Sequence, residues 1–79
     1  MSSLDIVKKM QINDEFIELV SYASIIVRCT EAPVRSETGA WRWKGVRVDN
    51  GQEIDYLITE GYEHYGPKLY PVSDFPVYM

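Results

Sequence analysis

The pair Asn50-Gly51 stands between two β-rich runs, residues 41–48 and 53–58, and nothing else in the chain constrains its folding as tightly. Asn-Gly between alternating apolar residues is the strongest short-range hairpin signal, because Gly supplies the positive φ that a tight turn needs. A two-residue turn here sets Arg47 opposite Ile54, Val46 opposite Asp55 and Gly45 opposite Tyr56. Side chains alternate along a strand, so Trp41, Trp43, Gly45 and Arg47 share a face with Ile54, Tyr56 and Ile58. Arg42, Lys44, Val46 and Val48 share the other with Glu53, Asp55, Leu57 and Thr59. The first face is aromatic and aliphatic and reads as the core side. The Tyr56 ring is expected to cover Gly45, and Arg47 to snorkel or to find a carboxylate. Lys44 falls diagonal to Asp55, a surface pair of at most about 1 kcal/mol. A bulge at Gly45 is the alternative; it would expose Arg47 and bury Val46 and Val48.

Around the hairpin the elements are short. Residues 2–10 read as a helix capped by Ser2 or Ser3, with Asp5 at its positive end, Lys8 and Lys9 at its negative end, and Leu4, Val7 and Met10 on one face. Residues 13–23 fit a helix capped by Asn13, with Phe16, Leu19, Val20 and Ala23 on one side. A strand over 16–20 competes with it. Residues 24–30 form a β-branched strand, apolar on both faces at its start and therefore central. A loop is expected over 31–39, punctuated by Pro33 and Gly39, and another over 60–67. Residues 68–72 read as an edge strand, where Pro71 breaks no ladder bond. Beyond it, Asp74-Phe75-Pro76 reads as a turn before apolar Val77, Tyr78 and Met79.

The expected architecture is α+β: one or two short N-terminal helices on an antiparallel meander of about four strands. A partly open SH3-like barrel is the alternative, favoured if the second segment is a strand. With 79 residues, the chain reads as a single small domain, 1–79. A core of that size leaves little net stability, so a second copy or a partner would help to hold it.

Charge and cysteine usage narrow the classes of function. The net charge is −4, whereas phosphate neutralisation calls for a basic surface, so nucleic acid is a disfavoured partner. The basic residues do cluster: Arg28, Arg35, Arg42, Lys44 and Arg47 fall within 28–47 beside only Glu31 and Glu37. The single cysteine, Cys29, excludes an internal disulfide and a cysteine-based zinc site, which favours the cytoplasm. The sequence shows neither a membrane span nor a basic leader.

No residue constellation demands catalysis. His64 is the only histidine; Glu60 lies four residues before it, but the glycines and proline around them indicate a loop, where helical spacing loses meaning. One histidine with two glutamates falls short of a zinc ligand set. Cys29 faces Ile25 and Val27 and reads as a buried structural thiol. The carboxylates of Asp49, Glu53 and Asp55, or of Glu60 and Glu63, read as solvated ends of a hairpin and a loop. No cofactor is implied.

Binding is the better expectation. Tyr62, Tyr65 and Tyr70, interleaved with Pro67 and Pro71, resemble the aromatic grooves in which small β-domains hold extended peptides. They also suit base stacking beside Arg42 and Lys44, and the plainer reading is closure of a core short of aliphatics. The sequence therefore points to a non-enzymatic protein-interaction module that binds a protein partner or forms a homo-oligomer through Arg42, Lys44, Tyr62, His64, Tyr65 and Tyr70. A nucleic-acid accessory protein using Arg28, Arg42 and Lys44, and a small enzyme centred on His64, are the alternatives.

Overall fold

Ser2 caps a short helix. In the computed structural model, which describes residues 2–21 and 23–72, α1 (Ser3–Lys9) carries a capping box: the Asp5 N–H donates to Ser2 Oγ, and the Ser2 N–H to Asp5 Oδ2. Seven residues do not hold a helix in water, so α1 depends on burying Leu4, Val7 and the following Met10. The expected turn at Asp74-Phe75-Pro76 and the apolar end of the chain lie outside the described residues.

Five strands follow: β1 (Glu15–Val20), β2 (Ala23–Arg35), β3 (Ala40–Arg47), β4 (Glu53–Thr59) and β5 (Lys68–Pro71). A single 3-10 turn, Glu63–Tyr65, separates the last two. They form one antiparallel sheet in the order β4-β3-β2-β1-β5. The molecule is thus α+β, a four-strand meander whose fifth strand returns to the first, and the sheet is open, with β4 and β5 as its edges.

Residues 15–20 are a strand, which corrects the helix expected over 13–23 and supplies the element that the SH3-like alternative required. Asn13 has φ +77, a left-handed conformation unlike the extended one of an N-cap, and its N–H donates to the Cys29 carbonyl at 2.8 Å. Asp14 faces backwards, its Oδ2 accepting the Gln11 N–H at 2.9 Å. Both Phe16 and Ile17 are buried, on opposite faces of a strand paired on both sides. Tertiary pairing overrides an amphipathic pattern that either structure could accommodate.

The expected loop over 31–39 also yields in part to strand. β2 runs on to Arg35, and its pairing with β3 shifts twice, between Cys29 and Glu31 and between Glu31 and Val34. Pro33 lies in the second irregularity, where its missing N–H leaves the ladder least disturbed.

The Asn50-Gly51 hairpin is present with a longer turn. The Arg47 N–H donates to the Gln52 carbonyl at 2.8 Å and the Gly51 N–H to the Arg47 carbonyl at 2.9 Å, so residues 48–51 all belong to the loop. Only Gly51 of that pair has positive φ (+75), which excludes the two-residue type I′ turn. Trp43 therefore stands opposite Tyr56, Gly45 opposite Ile54 and Lys44 opposite Asp55. The register moves by two residues, and an even shift leaves every side chain on its expected face. The close neighbour of Gly45 is Val27 rather than the Tyr56 ring: a Cβ there would meet Val27 Cγ1 at 2.5 Å and Tyr56 Cε2 at 3.6 Å. Arg47 does find a carboxylate, that of Asp49.

The core lies between α1 and the inner sheet face. Trp43 and Tyr56 stack at 5.0 Å, and Phe16 meets both rings edge-on. Val27, Cys29, Ile58 and Leu69 close around them. Trp41 is only partly buried and packs at the rim.

Candidate functional site

Antiparallel pairing alternates residues bonded to a neighbouring strand with residues whose N–H and C=O point away from it. The bonds at Arg47–Gln52 and at Gly39–Glu60 set the phase between β3 and β4. In β4 the even residues, Ile54, Tyr56 and Ile58, bond to β3. Glu53, Asp55, Leu57 and Thr59 turn their backbone groups outward, and the described residues place no strand beyond them. The Thr59 carbonyl takes the Tyr62 N–H, and Gly66 packs beside the Leu57 carbonyl, where a Cβ on that glycine would stand 3.5 Å from the oxygen, so the open stretch is centred on Asp55 and ends at the Leu57 N–H.

The other edge is blunted. The same alternation, set by the Cys29–Asp14 bond and carried across β1, turns Leu69 and Pro71 of β5 outward. The Leu69 N–H is taken by Ser3 Oγ of α1 at 2.9 Å, and Pro71 has none. One edge is closed by the helix and a proline, a usual protection against unwanted pairing; β4 lacks both devices.

Two shallow clefts flank β4. A cleft of about 340 Å³ is lined by Glu31, Ala32, Val34, Arg42, Lys44 and Asp55, with Trp43 and Tyr56 behind them. A smaller one, about 190 Å³, lies between the end of β4 (Leu57, Ile58, Thr59) and the turn bearing Tyr62, Tyr65 and Gly66. Tyr62 and Tyr65 stack at 6.5 Å yet are 61% and 79% exposed, so they do not close the core. His64 leans on Tyr65, ring centroids 4.0 Å apart. The six residues singled out in the sequence therefore separate: Arg42 and Lys44 line one cleft, and Tyr62 and Tyr65, with His64 against the latter, form the other. Tyr70 pairs with Ile17 on β5, at the opposite edge in the strand order, and belongs to neither.

The sequence gives no sign of what Glu60 does. Arg35 grips it through Nε (2.8 Å) and Nη2 (3.2 Å), and Trp41 Nε1 donates to the same carboxylate at 2.8 Å. The Arg35 and Trp41 hydrogen bonds hold its pKa down, from an ordinary 4.5 to about 2. This clamp ties β2, β3 and the end of β4 together and removes Glu60 from any partnership with His64. Among the described residues, no cluster of three or more His, Cys, Asp or Glu is placed to hold a metal ion. Cys29 is buried, its thiol donates to the Glu31 carbonyl at 3.2 Å, and burial pushes its pKa up. Tyr56 donates to Glu18 at 2.7 Å, and burial raises its pKa strongly.

The basic stretch is largely neutralised. Arg28 pairs with Glu15, Arg35 with Glu60, Lys44 with Glu31 and Arg47 with Asp49. Lys44 thus engages Glu31 across β2 and β3 instead of the Asp55 expected from the sequence. Among the described residues, Arg42 alone of that stretch makes no ion pair. Leu57, a leucine 44% exposed on a polar face, is a sequence signal that could have drawn attention to β4, though not to the direction of its backbone groups. Ser3 gives no comparable signal, because its role depends on β5 docking beside α1.

No family model matches the chain, and neither a curated protein nor a solved structure matches it. Among the described residues, no helix is long and apolar enough to cross a membrane.

Proposed function

We propose that this chain is a non-enzymatic, cytoplasmic protein-interaction module that takes an extended segment along β4, seating one of its side chains in the Tyr62–Tyr65 cleft. The observation that carries this reading is the asymmetry of the sheet edges: Ser3 and Pro71 blunt β5, while the Asp55 backbone groups and the Leu57 N–H face outward in the spacing that an added strand needs. A partner protein and a second copy of this chain are the two kinds of occupant. The pairing of Arg28 and Lys44 with carboxylates argues against phosphate binding, which needs uncommitted cations. The buried, protonated Cys29 suits a reducing compartment.

The test is selection from a displayed library of random peptides with the wild-type protein and with Leu57→Pro. The Leu57 N–H faces away from β3, so proline there removes the docking donor without breaking a ladder bond. Enriched peptides should bind the wild type and lose the variant. Peptides that bind both equally, or no enrichment at all, would overturn the reading.

A further inference from the structure

We infer that the occupant of the β4 edge is a basic extended segment of a partner protein, added antiparallel, with Lys or Arg opposite both Asp55 and Glu53 and an apolar residue opposite Leu57. The inference rests on the reading of β4 as a docking edge and adds the chemistry of the partner. It follows from cross-strand rows on the outer face. One row runs Glu31, Lys44, Asp55 over β2, β3 and β4, with Lys44 Nζ 3.5 Å from Glu31 Oε2. Its charges alternate minus, plus, minus, and the row ends at the open edge on a carboxylate. Opposite charges on directly facing strands stabilise and like charges destabilise, so the next strand outward is favoured to carry a cation there.

Glu53 ends the neighbouring row, after Arg28 and Val46. Among the described residues, neither Glu53 nor Asp55 makes an ion pair or a side-chain hydrogen bond. The row on the other side runs Val34, Arg42, Leu57 and ends against the tyrosine cleft, which suits an apolar side chain. Every neighbouring pair in the sheet is antiparallel, so the segment reads apolar, any, basic, any, basic from its N-terminus.

A second copy fits less well. Its β4 would bring a further Glu53 and Asp55 to an edge already acidic. Its β5 has the Leu69 N–H committed to Ser3 and no N–H at Pro71.

Three capped peptides test this by fluorescence anisotropy: Leu-Thr-Lys-Thr-Lys within Ser/Thr flanks, the same composition with the two lysines adjacent, and the glutamate counterpart. The first should bind the wild type about tenfold more tightly than the others, weaken with added salt, and lose its advantage to the glutamate peptide in the Glu53→Lys/Asp55→Lys double variant. Equal binding of all three, abolished by Leu57→Pro, would overturn the charge inference and leave the docking edge standing. Binding unaffected by Leu57→Pro, or no binding at all, would remove both. Concentration-dependent dimerisation by light scattering, abolished by Leu57→Pro, would identify a second copy as the occupant and overturn the inference.

Discussion

A methyl group on Gly45 would stand 2.5 Å from Val27 Cγ1 and 3.0 Å from the Arg28 carbonyl oxygen, within paired strands that have little room to part. Gly45→Ala should therefore destabilise the fold by about 1–3 kcal/mol, read as a lower denaturation midpoint with an unchanged slope. Glu60 makes a prediction of the opposite kind, one that depends on pH. Its pKa is lowered in the folded state, so its stabilising effect is complete above its ordinary 4.5 and is lost as pH falls through about 2. The stability difference between wild type and Glu60→Gln should be constant from neutral pH down to that window and shrink across it. A difference that does not change there would mean that the clamp acts through shape alone. Neither residue's partner could be read from the sequence. Glycine at position 45 is visible, but the approach of Val27 is set by the pairing of β2 with β3, and Glu60 meets Arg35 across 25 positions of chain.

Among the elements, those with a single period were legible and those with two were not. Alternation alone assigned the faces of β3 and β4 correctly, and an error of two in register did them no harm. The segment 13–23 satisfies both a helical and a strand pattern, so its pairing with β2 and β5 decides it. β2 continues through Pro33 because bulges absorb what would otherwise end a strand, and the spacing of apolar residues does not announce a bulge. The edge strands carry their own prediction. Leu57→Pro should leave stability within about 1 kcal/mol of wild type, because its N–H faces outward, whereas Ile54→Pro removes a β3 ladder bond and should cost about 2 kcal/mol or more. At the other edge, Ser3→Ala leaves the part-buried Leu69 N–H without its acceptor. It should cost about 1–2 kcal/mol and speed exchange of that amide.

For the whole molecule, the described residues give the sheet one finished edge and one unfinished one. α1 buries Leu4 and Val7 in the core and also closes β5 through Ser3, so one short helix serves both the core and the specificity of assembly. The candidate site was half legible. Tyr62, His64 and Tyr65 were visible as an aromatic loop, and Arg42 and Lys44 as outward cations. What joins the two groups is the backbone of β4, and backbone direction follows from hydrogen-bond phase, which no side chain encodes. Amide hydrogen exchange of the dilute free protein, followed residue by residue by NMR, tests this most directly. Ile54, Tyr56 and Ile58 should exchange slowly while Asp55 and Leu57 exchange fast, an alternation within one strand; protection of Asp55 and Leu57 equal to that of their neighbours would show that the β4 edge is already covered and would contradict the assignment of β4 as the docking edge.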